Sequence, residues 1–373
     1  MILEKLELRN FRNYSDIKLD LNKNINILCG KNAQGKTNLL ESIYVLGFTK
    51  THSTVIDTAI IKNGEKFCTV KGVLDTNSIK NNLEVTYIEN NKKIKIDNTY
   101  MKKVSDYISK LNIVTFYPED LDLVKGSPIT RRNFLNLELS QLYSSYYKVM
   151  NDYNKLLKIR NEYLKKISMN KPIDENYFDI ITEYLIDKSL FIYKMRYKFI
   201  EKLNTNVKKI YKRLTNIDNF NIKYVTTYEN IDDQEFKQRL YDLYKNSRKK
   251  EVKLGSTLIG PHRDDIEFYI DDINLKNYGS QGQKRVAVLS LKLAEIEIFK
   301  KYAKTNPILL LDDVFSELDN TKKNKLLTYI NKNIQTIITT TDLKDLNDKL
   351  INNSKIFYIK EGNIIKEVEK HGK

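Results

Sequence analysis

The chain contains no tryptophan, two cysteines, three histidines, five prolines and twelve glycines among its 373 residues. Each scarcity removes a class of protein. Cys29 and Cys68 cannot build a disulfide framework, which fits a reducing, cytoplasmic compartment. Two cysteines and three histidines also nearly exclude the multi-ligand zinc sites of zinc fingers. No run of 18 uncharged apolar residues occurs, so no transmembrane helix is expected. The start, Met1 to Phe11, alternates and carries charge, which reads as a strand and not as a signal peptide. There is no internal repeat and no Pro/Gly/Ser-rich linker. With 41% hydrophobic and 30% charged residues, the chain reads as globular and large enough for two to three domains.

Positive charge is abundant. Lys and Arg number 64 against 48 Asp and Glu, a net +16. Part of this excess is compositional, since Lys, Asn, Ile and Tyr are all frequent, as an AT-rich genome would produce. The remainder is clustered. Between Ser127 and Leu254, 26 Lys/Arg stand against 16 Asp/Glu, so +10 of the charge falls in about a third of the chain. A basic surface attracts polyanions, nucleic acid first. The alternative is an ordinary solvated helical face. The 25 tyrosines are too dispersed to argue a base-stacking platform.

Hydrophobic periodicity divides the chain. Strands are expected at Ile2 to Leu8, Ile17 to Leu21, Ile25 to Leu28, Phe67 to Val73, Leu83 to Ile88, Lys92 to Ile96 and Ile113 to Phe116. Helical spacing follows from Thr130 to Ile167, Tyr177 to Leu214 and Gln234 to Arg248. A helix from Gln281 to Tyr302 and buried strands at Ile308 to Leu311 and Ile334 to Thr339 complete the pattern. The expected fold is α/β: an ATPase lobe over 1–126, a helical basic lobe inserted over 127–254, and the rest of the ATPase lobe over 255–373.

The strongest local signal is a P-loop, GxxxxGK[ST]: Gly30, Lys31, Asn32, Ala33, Gln34, Gly35, Lys36 and Thr37, followed by Asn38. An apolar strand precedes it and a helical run follows. Backbone N–H groups in such a loop curl round phosphates, aided by the helix N-terminus. Lys36 is expected to reach the β/γ-phosphates of ATP, and Thr37 to hold Mg²⁺. The strand Ile308 to Leu311 delivers Asp312, a second Mg²⁺ partner, to its carboxyl end. Asp313 is then free to orient water as a general base, or serves only as a cap. Ser280, Gln281, Gly282 and Gln283 stand at the start of a helix, another anion-binding position. Ser316, Glu317, Leu318 and Asp319 lie just past the second carboxylate.

In this order the motifs resemble those of ABC-type ATPases, in which the SxGQ segment of one subunit closes on the nucleotide of the other. Longer segments are similar to the RecF family of bacterial recombination and gap-repair ATPases, and the resemblance covers essentially the whole chain. They are Leu6-Glu-Leu-Arg-Asn10-Phe-Arg-Asn-Tyr14, the stretch from Pro118 through Gly126 and Arg131-Arg132 to Phe134-Leu135, Gly260-Pro-His262-Arg263-Asp264-Asp265, and Leu310-Leu-Asp-Asp-Val-Phe-Ser-Glu-Leu-Asp319. The first is also loosely similar to the heads of SMC-like proteins. The resemblance implies an ABC-type head with mixed and antiparallel sheets and a helical second lobe. It further implies an ATP-dependent homodimer, slow ATP hydrolysis stimulated by DNA, and binding to duplex and gapped DNA. The implied setting is DNA repair, recombination, replication and the SOS response, in a nucleoid-associated protein working with RecO and RecR to load RecA.

The chain departs from the family at several points. Ser53 stands where an Arg is common, and Thr341-Asp342 where transporter ATPases keep a His. The usual Gln-loop residue falls within Phe116 to Asp120, which has no Gln. Arg12 reads equally as a phosphate contact or a solvated strand end. Arg131 and Arg132 read as phosphate or carboxylate partners, and His262 and Arg263 as a structural turn or a DNA contact. A transporter subunit is disfavoured by the missing His and the basic insertion. An SMC protein is disfavoured by helices too short for its coiled coil, and an ATPase–nuclease fusion by the short stretch after Asp319.

Overall fold

Alternation in the first hundred residues produces an antiparallel sheet. Its strands run in the order Tyr14–Asp20, Ile2–Phe11, Phe67–Thr76, Ile79–Ile88, Asn91–Ile96, Thr99–Tyr100. Leu3, Leu6, Leu8, Val70, Leu83 and Val85 fall on one buried face. The other face carries charge in cross-strand register, with Lys18, Glu7, Lys71, Glu84 and Lys95 on successive strands. Lys71 and Lys95 each lie 3.2 Å from Glu84.

The structure, a computed structural model, describes residues 1–370 apart from 53–56, 90, 227, 229–234, 318–319 and 331–332. Ser53, Leu318 and Asp319 therefore lie outside the described residues. Two units emerge, one of 1–120 with 289–373 and one of 121–288.

The first unit also holds the sheet that carries the P-loop. Its order is Asn363–Glu369, Ser354–Lys360, Ile25–Cys29, Thr336–Thr340, Ile308–Leu311, Ile113–Phe116. All neighbours are parallel except the terminal hairpin. Both faces of the inner strands are covered, so Ile308 to Leu311 is an uninterrupted apolar run, and Asn26, Thr336, Thr339 and Thr340 are buried as well. Ile27, Leu28, Ile308 to Leu311 and Ile338 are buried.

The second unit is mainly helical: Pro128–Leu142, Ser144–Ser168, Glu175–Thr215 and Phe236–Leu254. The single helix expected from Thr130 to Ile167 is broken at Tyr143, which is extended (φ −140°, ψ 104°). Packing explains the break. Tyr146 is fully buried and its hydroxyl lies 2.8 Å from Asn136 Oδ1. On one straight helix, residues ten apart are separated by about 15 Å.

The lobe expected over 127–254 is also too small. The strand Phe220–Val225 pairs antiparallel with Asp265–Ile270, so the unit cannot close at Leu254. Three buried arginines bind the two stretches together. Arg131 forms a two-pronged pair with Asp265 (2.6 and 2.8 Å). Arg160 pairs with Glu251 (2.8 Å) and bonds Thr182 and Thr257. Arg196 donates to the Pro261 carbonyl (2.6 Å), Asn136 and Tyr146, and lies 3.5 Å from Asp264. Among the described residues no helix is long and apolar enough to cross a membrane.

Candidate phosphate-loop site

The buried strand Ile25–Cys29 ends at Gly30, and the helix Lys36–Phe48 begins six residues later. The turn between them sorts its polar groups by direction. Most of its carbonyls are engaged: Gly30 and Lys31 accept from Lys36 Nζ (2.7 and 2.9 Å), Gln34 from Asn13 and Gly362, and Gly35 from the Tyr14 hydroxyl (3.0 Å) and the Leu39 amide. The backbone N–H groups of Asn32, Ala33 and Gly35 make no hydrogen bond within the described chain. A loop with satisfied carbonyls and free amides is an anion cradle. Gly35 has φ +110°, and a Cβ there would stand 2.5 Å from Asn13 Nδ2, so only glycine fits.

Lys36 is buried, and burial lowers its pKa against the opposing pull of Asp313 and Asp312. Thr37 Oγ1 donates to Asp312 at 3.0–3.1 Å, and Thr339 Oγ1 donates to the same carboxylate at 2.7 Å. Burial raises the Asp312 pKa, and the two hydroxyls hold it back. Asp313 follows in a left-handed conformation (φ 50°), its amide donating to Thr339 Oγ1. The structure thus joins Lys36, Thr37, Asp312 and Asp313, which are up to 277 positions apart in sequence.

The oxygen donors fit a magnesium ion. One hydroxyl and one carboxylate, completed by phosphates and waters, is the set Mg²⁺ uses in nucleotide enzymes. Among the described residues no cluster of three or more His, Cys, Asp or Glu offers a self-sufficient metal cage.

Some residues near the loop were not assigned a role from sequence. Asn13 and Tyr14 touch the loop directly, and the Asn-Phe-Arg-Asn-Tyr motif was the available signal. Thr339 and Gly362 gave none. In the Gln-loop region, Asp312 N–H donates to the Phe116 carbonyl (2.9 Å), and the charge of nearby Glu119 adds to the rise in the Asp312 pKa. Arg12 forms a two-pronged pair with Glu41 of the P-loop helix (3.0 and 3.1 Å).

In the second unit, Ser280 and Gln283 cap their helix reciprocally: Ser280 N–H donates to Gln283 Oε1 (2.8 Å) and Gln283 N–H donates to Ser280 Oγ (3.2 Å). Ser280, Gln281 and Gly282 are exposed. The Gly260–Asp265 segment is a structural turn. His262 bonds the Tyr153 hydroxyl through Nδ1 (2.5 Å) and the Thr257 carbonyl through Nε2 (3.1 Å), and Arg263 also donates to Thr257 (2.9 Å). Arg132 donates to the Asp264 carbonyl. Lys155, Lys158, Lys165 and Lys166 are exposed on the helix Ser144–Ser168.

The family described as RecF/RecN/SMC N terminal domain matches residues 2–364. The chain is 40% identical over 371 residues to a DNA replication and repair protein RecF of Ligilactobacillus salivarius (strain UCC118), covering 98% of each. It is similar, with a TM-score of 0.90 and 31% identity over 97% of each chain, to a solved structure of the recombination mediator protein RecF-ATPrS in the RecFOR pathway. An Smc head bound to the C-winged helix domain of ScpA shares the fold alone, with a TM-score of 0.55 at 14% identity, covering 99% of this chain and 98% of that one. The chain belongs to the RecF family, and its fold is that of ABC-type ATPase heads.

Proposed function

We propose that this RecF-family chain is an ATP-switched DNA-binding protein of replication-gap repair and recombination. ATP binding drives dimerisation on DNA, and slow, DNA-stimulated hydrolysis releases it. The observation that carries this reading is the meeting of Thr37 and Asp312 beside a loop whose carbonyls are tied back. In this reading Gly30 to Asn38 hold the nucleotide and Lys36 neutralises the β/γ-phosphates. Thr37 and Asp312 hold Mg²⁺, which supplies charge stabilisation on the phosphates when bound. Asp313 orients the attacking water. Ser280, Gln281, Gly282 and Gln283, at a capped helix start whose first three residues are exposed, close on the nucleotide of a second copy. The basic helices of the second unit meet DNA phosphates.

The solved RecF-ATP relatives support ATP as the ligand. The place of those relatives in the RecFOR pathway supports RecO- and RecR-type partners, and through them RecA loading, in the cytoplasm at the nucleoid.

The test is a mixing experiment. Lys36→Met should abolish ATP turnover, and Ser280→Arg should bind ATP yet neither dimerise nor hydrolyse. Mixed, the two variants rebuild one composite site per heterodimer, and partial ATPase activity should return. Normal turnover by Lys36→Met sinks the P-loop assignment. Normal turnover by Ser280→Arg at dilutions that exclude dimers sinks the action in trans.

A further inference from the structure

The P-loop is held from behind by two turns remote from it in sequence. Asn13 Nδ2 donates to the Gln34 carbonyl (3.3 Å), while Asn13 Oδ1 accepts from Asn38 Nδ2 (2.9 Å) in the first turn of the following helix. From the terminal hairpin, Gly362 N–H donates to the same Gln34 carbonyl (3.1 Å), and Glu361 N–H donates to Gln34 Oε1 (2.9 Å). The two turns also interlock. Gly362 has φ +72°, and a Cβ there would stand 2.5 Å from the Asn13 carbonyl oxygen. The hairpin is itself fixed, because Ser354 to Tyr358 pair in register with Ile25 to Cys29, the strand that feeds the loop. Strand, loop and both turns therefore form one closed set of contacts within the first unit.

We propose that Asn13 and the Glu361–Gly362 turn are positioning residues for nucleotide binding. They do not touch the phosphates. They hold the Gln34 carbonyl outward, which turns the neighbouring amides toward the cradle before any ligand arrives. Binding then avoids the ordering cost that a free loop would pay on closing round an anion. The inference rests on the ATP-binding reading above and assigns the last hairpin a part in it.

The experiment uses the full chain and equilibrium titration with a fluorescent ATP analogue in the presence of Mg²⁺, beside steady-state ATPase kinetics. The variants are Asn13→Ala, which removes the clamp side chain without adding charge, and Gly362→Ala. Ile365→Thr, at an exposed position of the same hairpin, is the control. Asn13→Ala should weaken nucleotide affinity and raise KM for ATP roughly tenfold, the scale of one lost hydrogen-bonded restraint. Its kcat should stay within about twofold, and its nucleotide-free melting midpoint within about 2 °C of wild type, the shift of a small stability change in a chain this long. Gly362→Ala should act in the same direction, and Ile365→Thr should bind as wild type does. A wild-type chain that binds no ATP overturns the nucleotide reading itself. A wild-type chain that binds ATP, with Asn13→Ala binding equally well or losing affinity only in step with its melting midpoint, overturns the clamp alone.

Discussion

Acidification should destabilise the second unit through His262. Both ring nitrogens are engaged: Nδ1 accepts from the Tyr153 hydroxyl, and Nε2–H donates to the Thr257 carbonyl, the tautomer of a neutral imidazole. Burial, with Arg263, Arg132 and Arg196 nearby, brings its pKa down to about 4 from an ordinary 6.5. The folded-state value lies below the unfolded one. Stability is therefore complete above pH 6.5, falls as pH drops from 6.5 toward 4, and stays level below that. At pH 5 the loss is about 2 kcal/mol, since each pKa unit is worth about 1.4 kcal/mol and most of the unfolded imidazole is then protonated. Asp264 works in the opposite sense. Burial pushes its carboxyl up to about 6, so protonation of Asp264 favours the fold as pH falls from 6 toward 3.8. The wild-type pH profile alone therefore conceals the histidine. Urea unfolding of wild type and His262→Gln at pH 7.5 and pH 5.0 isolates it. The stability difference between the two proteins should move by about 2 kcal/mol in favour of the variant at the lower pH. The chain has three histidines, so NMR titration can follow the His262 ring directly, and its midpoint should fall below pH 5. A midpoint above pH 6, or a stability difference that ignores pH, would refute the reasoning.

Further outcomes are expected at the nucleotide site and on DNA. Asp312→Asn should lower Mg–ATP affinity by roughly 10- to 100-fold, the scale of a lost charged contact. Asp313→Asn should bind Mg–ATP normally, lose turnover by roughly 10²- to 10⁴-fold, and accumulate as an ATP-bound dimer on size-exclusion chromatography; like behaviour of the two variants would dissolve the division of roles. DNA affinity should fall steeply with salt, with a log–log slope of roughly −5 to −7 if six to eight phosphates are engaged on duplex DNA. Reversing Lys155, Lys158, Lys165 and Lys166 to Glu should flatten that slope in filter-binding assays and spare ATP binding. An unchanged slope would mark these lysines as an ordinary solvated face.

Legibility in the sequence followed the range of the interactions. Strands built on local hydrophobic pattern were placed within a few residues: Ile113–Phe116 and Ile308–Leu311 match the bounds read from the sequence end to end. The P-loop and the Asp312–Asp313 pair were legible because each motif is contiguous. The break at Tyr143 was not, since no Pro or Gly marks it and the cause is the distant burial of Tyr146. The strand Phe220–Val225 was hidden inside helical texture because its partner, Asp265–Ile270, comes 45 residues later. Charge counting also misled in part. Arg131 and Arg196 belong to the +10 cluster but are buried against Asp265 and Asp264, which lie just past the counted stretch. Of the loop clamp only the Asn13 motif was legible, because Asn13 and Gly362 meet only in three dimensions.

The strand order has a consequence in time. Ile25–Cys29 lies between Thr336–Thr340 and Ser354–Lys360, so its two neighbours are made about 310 and about 330 residues after it. At bacterial rates of roughly 5–20 residues per second, that interval is on the order of 15–60 s. Throughout it the nascent chain carries a buried-type apolar strand with two open edges, the kind of segment that pairs wrongly with other chains. The antiparallel sheet of the first hundred residues, hairpins joined by the pairing of Ile2–Phe11 with Phe67–Thr76, can close long before that. Synthesis therefore leaves a folded sheet beside a waiting strand, and the nucleotide cradle is finished only when the last hairpin is laid down.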